Sequence, residues 1–107
     1  MILEELDVLA SDVNPSQFKV GQNYPNPFNP LTAIDYSIPK DGLVDITVYD
    51  MKGRVVKNLI NRYESSGYKT VEWNGTNSNG SPVSAGMYIY SIKFGSNIRN
   101  NKMVLLK

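Results

Sequence analysis

The feature that most constrains the fold of this chain is an alternation of apolar and polar residues, interrupted at short intervals by turn residues. Residues 34–38 are Ile-Asp-Tyr-Ser-Ile, and residues 44–48 are Val-Asp-Ile-Thr-Val. Alternation with a period of two places every second side chain on the same face of a β-strand, so that one face is buried. Helical periodicity is nearly absent. The sequence therefore predicts an all-β protein.

Turn signals divide the chain into about seven such segments. Gly53 and Gly67 follow polar residues, Gly95-Ser96-Asn97 is typical of a hairpin turn, and residues 74–86 are rich in Asn, Gly, Ser and Pro. Seven short strands with frequent turns predict an antiparallel immunoglobulin-like β-sandwich. Because the chain contains no cysteine, it lacks the disulfide of antibody domains, and the prediction concerns the architecture alone.

A run of prolines opens the predicted domain. Residues 23–30 are Asn-Tyr-Pro-Asn-Pro-Phe-Asn-Pro. Each proline fixes φ, lacks a backbone donor and disfavours helical geometry in the residue before it. We expect this proline run to form the first edge of the sandwich and to cap it with Tyr24 and Phe28. It would separate the folded domain, residues 18–107, from a linker or remnant of a preceding region at residues 1–17.

Length and composition are those of one ordinary globular domain. The chain has 107 residues, of which 41% are hydrophobic and 20% charged, and none of its apolar stretches approaches the length of a membrane span. The start does not resemble a signal peptide, because Glu4, Glu5 and Asp7 stand where basic residues would be needed. Residues 11–16, Ser-Asp-Val-Asn-Pro-Ser, are typical of a linker. We therefore expect a fragment of a longer protein.

Charge is distributed unevenly along the chain. Residues 1–17 contain four acids and no base, whereas residues 73–107 contain Lys93, Arg99, Lys102 and Lys107 and no acid. Either the charges cluster by chance on a solvated surface, or the second half presents a basic face to a partner. Four bases in this stretch are too sparse for a nucleic-acid site, so no nucleic-acid partner is expected.

The usual signatures of enzymes are missing. The chain contains no histidine and no cysteine, so the commonest general base and the thiol nucleophile are unavailable. It contains neither a Gly-x-Ser-x-Gly elbow nor a phosphate-binding loop. Its carboxylates stand mostly at turns or at solvent-facing strand positions. We expect no catalytic site and no cofactor.

Two binding alternatives arise from the residue types. In the loop after Trp73, Asn77, Asn79 and Gly80 fit three places of a calcium loop, but glycines stand where its first and last carboxylates belong. We therefore expect no metal site, and expect Asn and Gly to supply left-handed residues and side-chain bonds to the backbone. Trp73 and the tyrosines could stack on sugars. The phase of Trp73, Tyr88 and Tyr90 in the alternation instead favours core packing, with each polar group bonded to the backbone.

Five segments carry a family pattern in a fixed order. They are Asn23-Tyr24-Pro25-Asn26-Pro27-Phe28-Asn29-Pro30 with Thr32 and Ile34; Val48-Tyr49-Asp50 with Gly53 and Arg54; Gly67 with Trp73, Asn74, Gly75 and Gly80; Val83, Ala85, Gly86, Tyr88 and Tyr90; and Lys102-Met103-Val104-Leu105-Leu106-Lys107. From about residue 15 to the last, the chain resembles the type A C-terminal sorting domains of the type IX secretion system. The middle segment is shared with the immunoglobulin-like domain of flagellar hook-capping proteins.

The resemblance implies a specific role. Sorting domains of this kind bring cargo from the periplasm to an outer-membrane translocon, and a surface sortase-like peptidase often removes them and can anchor the cargo. The partners would be these components and the cargo domain that precedes the chain, and the location would be the periplasm in transit and then the cell surface or medium. The expected recognition residues are Gly86, Tyr88 and the tail Lys102, Met103, Val104, Leu105, Leu106 and Lys107, on a final strand at a sheet edge.

The resemblance leaves two other functions open. One is a carbohydrate-binding accessory domain of an extracellular polysaccharide-degrading enzyme, and the other is a structural spacer or assembly module. The oligomeric state, the cargo and the receptor cannot be predicted from these residues.

Overall fold

The computed structural model describes residues 15–106, and its regular elements are seven β-strands. The strands are β1 (Lys19–Val20), β2 (Thr32–Ile38), β3 (Gly42–Tyr49), β4 (Val55–Glu64), β5 (Gly67–Trp73), β6 (Gly86–Phe94) and β7 (Asn97–Leu105). They form a three-stranded sheet, β1-β2-β5, and a four-stranded sheet, β4-β3-β6-β7, with antiparallel pairing. The predicted immunoglobulin-like sandwich is confirmed.

The two sheets bury the faces that the alternation predicted. In β2 and β3 the buried apolar side chains are Ile34, Tyr36, Ile38, Val44, Ile46 and Val48. In the same sheet as β3, β6 contributes Tyr88, Tyr90, Ile92 and Phe94, and β7 contributes Met103 and Leu105. Burial of these side chains is the main favourable term in folding, because it removes apolar surface from water. The period of two identifies this core in β2, β3 and β6, whereas the end of β7 is apolar in both phases.

The proline run connects the two sheets. The backbone of Tyr24 exchanges hydrogen bonds with that of Ala33 in β2, at 2.8 and 2.9 Å. A few residues later the Phe28 N–H donates to the Val104 carbonyl at 2.9 Å, and the Leu106 N–H donates to the Phe28 carbonyl at 2.8 Å. The peptide bonds preceding the three prolines are cis. The run thus closes the sandwich along the outer edge of β7.

The prediction that Tyr24 and Phe28 cap the sandwich is confirmed for Phe28 alone. Phe28 is 1% exposed and its ring centroid lies 5.6 Å from that of Trp73. Tyr24, in contrast, is 81% exposed, so the prediction that it caps the sandwich is wrong. The reason is that the Tyr24 backbone takes the edge position beside β2, which leaves its side chain in solvent.

The boundary of the predicted linker falls largely outside the described residues. Residues 1–14, which include most of the linker predicted at residues 1–17, and Lys107 of the tail belong to the part of the chain that is not described. Within the described part, Ser37 Oγ donates to the Gln17 carbonyl at 3.1 Å. Residues 15–106 contain no helix long and apolar enough to cross a membrane.

Candidate functional site

A buried polar network holds the start of the proline run against the core. Asn23 is 2% exposed, and its backbone N–H donates to the Tyr90 hydroxyl at 2.9 Å. The Tyr90 hydroxyl donates in turn to the Gly21 carbonyl at 2.8 Å and accepts from Asn101 Nδ2 at 3.2 Å. Burial raises the pKa of Tyr90 above its ordinary value. The Tyr90 hydroxyl therefore links Gly21 and Asn23, at the start of the proline run, to β6 and β7.

The Asn23 side chain extends this network into the run. Its Nδ2 donates to Thr32 Oγ1 at 3.0 Å and to the Pro25 carbonyl at 3.2 Å. Thr32, which is 1% exposed, donates its hydroxyl to the same Pro25 carbonyl at 2.9 Å. A buried polar group is costly unless it is paired. The network explains why Asn23 and Thr32 belong to the motif, since they determine the path of the run.

We expect Tyr90→Phe to lower the free energy of unfolding by about 2 kcal/mol, because the Asn23 N–H loses its buried acceptor and the Gly21 carbonyl its short donor. Urea denaturation followed by circular dichroism measures the change. Tyr63→Phe, at a position that is 74% exposed, is the matched control and should change stability by less than about 0.5 kcal/mol. Equal stability of the two variants would show that the Tyr90 hydroxyl does not secure the run.

The aromatic residues of the motif form core contacts. The ring of Trp73 lies 5.6 Å from that of Phe28 and 5.4 Å from that of Tyr88, the latter edge-on. Trp73 Nε1 donates to the Thr76 carbonyl at 2.8 Å, and the Tyr88 hydroxyl donates to the Ser84 carbonyl at 2.6 Å. The predicted core packing, with polar groups bonded to the backbone, is confirmed. Because these rings are buried, they cannot form a stacking platform for sugars.

The loop between β5 and β6 is organised by glycines and one asparagine. Gly75, Gly80 and Gly86 have positive φ, and no other residue type does so within residues 15–106. The expectation that asparagines also adopt left-handed geometry is therefore wrong. Asn77 Oδ1 accepts from the N–H groups of Asn79 and Ser81, both at 3.0 Å, which confirms the predicted side-chain bonds. Among the described residues no group of three or more acidic side chains is placed to hold a metal.

The turn between β3 and β4 is closed by one carboxylate. Asp50 Oδ1 accepts from the backbone N–H groups of Lys52 and Arg54, both at 2.9 Å, and Oδ2 pairs with Arg54 Nε at 2.9 Å. These bonds, chiefly that from the Arg54 N–H, hold the pKa of Asp50 below its ordinary value. Gly53, with φ of 83°, completes the turn. Asp50, Gly53 and Arg54 thus have a local structural role.

The structure brings the predicted recognition residues together at one end of the sandwich. Gly86 pairs with Leu105, and Tyr88 pairs with Met103, across β6 and β7. A Cβ built on Gly75 would lie 3.4 Å from the Pro30 carbonyl oxygen and 3.5 Å from Leu105 Cδ2. Motif segments that are far apart in the sequence therefore meet around the end of β7.

Burial divides the predicted recognition residues into two groups. Met103 and Leu105 are 0% exposed and Tyr88 is 6% exposed, so a partner cannot touch these side chains while the domain is folded. Gly86, Lys102 and Leu106 are exposed and Val104 is half-buried. The exposed recognition set consists of Lys102, Val104 and Leu106, together with the exposed Met87 opposite Val104.

β7 lies at the edge of its sheet as predicted, but much of that edge is already covered. Phe28 bonds the carbonyl of Val104 and the N–H of Leu106. Asn26 Oδ1 accepts from the Val104 N–H at 3.0 Å, and Gln22 Nε2 donates to the Lys102 carbonyl at 2.9 Å. At Val104 and Leu106 this edge cannot accept a further strand, because the proline run already occupies that place.

A feature that the sequence reasoning missed lies on the outer face of the four-stranded sheet. A groove of about 410 Å³ is lined by Tyr49, Asp50, Met51, Gly53, Ile89, Ser91, Lys93, Ile98 and Asn100, and we call it the outer groove. Met51 and Ile98 are 54% and 51% exposed. The sequence signal that could have revealed this groove is that the apolar residues Ile89 and Ile98 stand at positions of β6 and β7 whose side chains face solvent.

Comparisons with known proteins identify the family and the fold. The model of the FlgD Ig-like domain family matches residues 33–97, which is more than half of the chain. No curated protein matches the sequence. The chain is similar to a crystal structure of FlgD from Xanthomonas campestris, which is described in terms of the hook capping essential for flagellar assembly. The TM-score is 0.58 and the sequence identity is 18%. The similarity covers 94% of this chain and 73% of that one.

Two further solved structures come from Porphyromonas gingivalis. Dimeric latent PorU is similar with a TM-score of 0.67 and 18% identity over 84% of this chain. PorZ, described as an essential bacterial surface component of the type-IX secretion system, is similar with a TM-score of 0.54 and 19% identity over 92%. The similar regions are 9% and 12% of those two chains. At these identities the similarities show the fold alone.

Proposed function

This chain belongs to the FlgD Ig-like domain family, and we propose that it serves as a sorting domain that directs a secreted cargo to the type IX secretion system. The partners in this proposal are the outer-membrane translocon and a sortase-like peptidase, with the cargo preceding the domain. The location is the periplasm in transit and then the cell surface or medium. The proposal includes no catalytic step and no cofactor.

The observation that carries the proposal is the convergence of the motif segments on the tail. Phe28 bonds to the backbone of β7, Gly75 approaches Leu105, and Gly86 pairs with Leu105. Tertiary contacts thus hold the tail in place and leave Lys102 and Leu106 in solvent. The type IX role of PorZ and the resemblance of all five segments to sorting domains support the same function.

The exposed recognition set is the part of the tail that a receptor can reach in the folded domain. Lys102 contributes a positive charge, and Met87 and Leu106, which are 42% and 50% exposed, contribute apolar surface. An interface commonly combines an apolar centre with a polar rim, and charges at the rim mainly steer association. We therefore assign recognition to these side chains, and assign the buried Met103 and Leu105 to stability.

The test is a reporter fused in front of the chain, in a bacterium that carries the type IX secretion system. We expect Lys102→Glu with Leu106→Ser to reduce the secreted reporter about tenfold, because it removes two exposed contacts of a few tenths to 1 kcal/mol each. The matched control is Lys40→Glu with Leu43→Ser. Both positions are exposed and lie near the start of β3, at the end of the strand away from the tail. Circular dichroism of both purified variants tests whether they are folded.

Unchanged secretion of the folded tail variant would contradict the assignment of recognition to the exposed tail. Equal losses in the tail variant and its control would show that surface charge in general, and not this set, matters for secretion. Failure of the unmodified chain to export any reporter would contradict the sorting function itself.

Membership of the FlgD Ig-like domain family also favours a second candidate, a structural assembly module. FlgD of Xanthomonas campestris, which is similar over most of its length, is described in terms of hook capping. For this function the same export assay should give no secretion. A carbohydrate-binding role gains no support, because Trp73, Tyr88 and Tyr90 are buried in the core.

A further inference from the structure

Two asparagine–glycine pairs lie in the loop between β5 and β6, and the sequence contains no others. They are Asn74-Gly75 and Asn79-Gly80. Asparagine followed by glycine is the dipeptide most prone to spontaneous deamidation, because glycine has no side chain to keep its backbone nitrogen away from the asparagine carboxamide. The fold surrounds the two carboxamides differently, and the difference selects one of them.

The Asn74 carboxamide is polarised by a chain of hydrogen bonds. Its Oδ1 accepts from Thr76 Oγ1 at 2.6 Å, and the same hydroxyl oxygen accepts from Lys57 Nζ at 3.2 Å. A hydroxyl that receives a hydrogen bond from a cation becomes a stronger donor. Because negative charge develops on Oδ1 when a nucleophile attacks Cγ, these two bonds stabilise the intermediate of that attack.

The nucleophile in deamidation is the backbone nitrogen of the next residue, and here it is not engaged elsewhere. Gly75 is buried, yet no acceptor within residues 15–106 takes a hydrogen bond from its N–H. Buried backbone N–H groups without a partner are rare in folded proteins. The Gly75 nitrogen therefore gives up no hydrogen bond when it turns towards the Asn74 carboxamide.

The second pair lacks both features. The Gly80 N–H donates to the Asn77 carbonyl at 2.9 Å, so attack by this nitrogen would break a hydrogen bond. In the described part of the chain, no donor bonds the Asn79 carboxamide oxygen. Asn74 and Asn79 are both exposed, so access to water does not separate the two sites.

We propose that Asn74 is a modification site of this domain, where spontaneous deamidation replaces the carboxamide by a carboxylate. The Gly75 nitrogen bonds to Asn74 Cγ and passes its proton through solvent to the carboxamide nitrogen, which leaves as ammonia. The product of this step is a succinimide. One water molecule then opens the ring at either carbonyl, which gives aspartate or isoaspartate. No electron is transferred, and water is the only molecule consumed.

An aspartate at position 74 fits the site. It keeps the length of the main chain, and its carboxylate accepts the Thr76 hydroxyl in place of the carboxamide oxygen. Lys57, which already bonds that hydroxyl, becomes a counter-charge. An exposed pair of this kind contributes little to stability, so this product leaves the fold unchanged and adds one negative charge to the loop.

An isoaspartate at position 74 does not fit, because it adds a methylene to the main chain between Trp73 and Gly75. Trp73 Nε1 donates to the Thr76 carbonyl at 2.8 Å across this point. A Cβ built on Gly75 would lie only 3.5 Å from Leu105 Cδ2, so the following residue has little room to shift. The isoaspartyl product therefore loosens the loop where it contacts the tail.

The test incubates the purified full chain in mildly alkaline buffer and follows each asparagine by peptide mapping with mass spectrometry. Isoaspartate is measured separately with an isoaspartyl methyltransferase. In the folded chain we expect position 74 to convert about tenfold faster than position 79. In concentrated urea the two positions should convert at similar rates, because the difference comes from the fold. Both rates should rise with pH, since the deprotonated backbone nitrogen is the nucleophile.

Thr76→Val removes the donor to Asn74 Oδ1 and keeps a β-branched side chain. It should slow conversion at position 74 about tenfold. The matched control is Ser78→Ala, which removes a hydroxyl of the same loop that bonds the Val56 carbonyl instead and should leave the rate unchanged. Lys57→Met should slow conversion by a smaller factor, because the hydroxyl remains.

Three results would overturn the proposal. They are a folded chain that keeps its Asn74 carboxamide while the urea-unfolded chain loses it, faster conversion at position 79 than at position 74, and an unchanged rate in the Thr76→Val chain. A lasting loss of ammonia that joins Lys57 to Asn74 in one cross-linked peptide would identify the lysine amine as the nucleophile and would also overturn it. None of these outcomes depends on the sorting function.

Discussion

Deleting residues 102–107 is expected to unfold the domain, and not merely to remove a surface signal. The deletion removes Met103 and Leu105, both 0% exposed. Truncation of one such side chain to alanine costs about 2–5 kcal/mol, so the pair represents about 4–10 kcal/mol. This is comparable to the total stability of an ordinary domain, about 5–15 kcal/mol. The deletion also removes the backbone partners of Phe28 in β7.

Circular dichroism and thermal denaturation of the truncated chain measure this effect. The control is the full chain with Lys102→Glu and Leu106→Ser, which changes exposed side chains of the same segment and should unfold cooperatively near the temperature of the unmodified chain. A truncated chain that keeps a cooperative transition at the original temperature would show that β7 is not integral to the fold. Loss of export after tail deletion therefore does not identify a signal unless folding is measured.

Phe28→Ala is expected to lower the free energy of unfolding by about 3 kcal/mol. Phe28 is 1% exposed, packs against Trp73 and shares two backbone hydrogen bonds with β7. The substitution leaves a cavity between the proline run and the tryptophan while the backbone bonds remain available. Urea denaturation followed by the fluorescence of Trp73, the single tryptophan of the chain, reports directly on this site.

Tyr24→Ala is the matched control, since it truncates the other aromatic residue of the same run. Tyr24 is 81% exposed, so its truncation should change stability by less than about 0.5 kcal/mol. Similar costs for the two variants would contradict the placement of Phe28 in the core. A Phe28→Ala chain as stable as the unmodified one, yet unable to direct export, would instead assign the proline run to recognition.

Much of the fold was predictable because burial and alternation are coupled in strands. Ile34, Tyr36 and Ile38 are buried, and Pro39 follows the last residue of β2. The phase of Trp73, Tyr88 and Tyr90 placed their rings in the core, and the structure confirms this placement. A period of two determines which side chains share a face, but it says little about which strands are neighbours or about their register.

The candidate site was less predictable, because its properties depend on which segments meet. The tail is apolar in both phases, with Met103 and Leu105 in one and Val104 and Leu106 in the other, so alternation alone does not identify the pair that faces the core. Pairing of Tyr88 with Met103 settles the phase and buries the first pair. The outer groove combines residues from β3, β6 and β7 with a turn, a combination that local pattern does not indicate.

The sequence by itself determined the class of fold, the identity of the core strands and the family pattern, because these depend on local alternation, on turn residues and on motif order. Only the tertiary structure decided which half of the motif is exposed. Pairing across the sheets buried Met103, Leu105 and Phe28, placed the proline run along the edge of β7 and left Lys102 and Leu106 in solvent. Exposure is a property of contacts between distant segments, and those contacts form only when the chain folds.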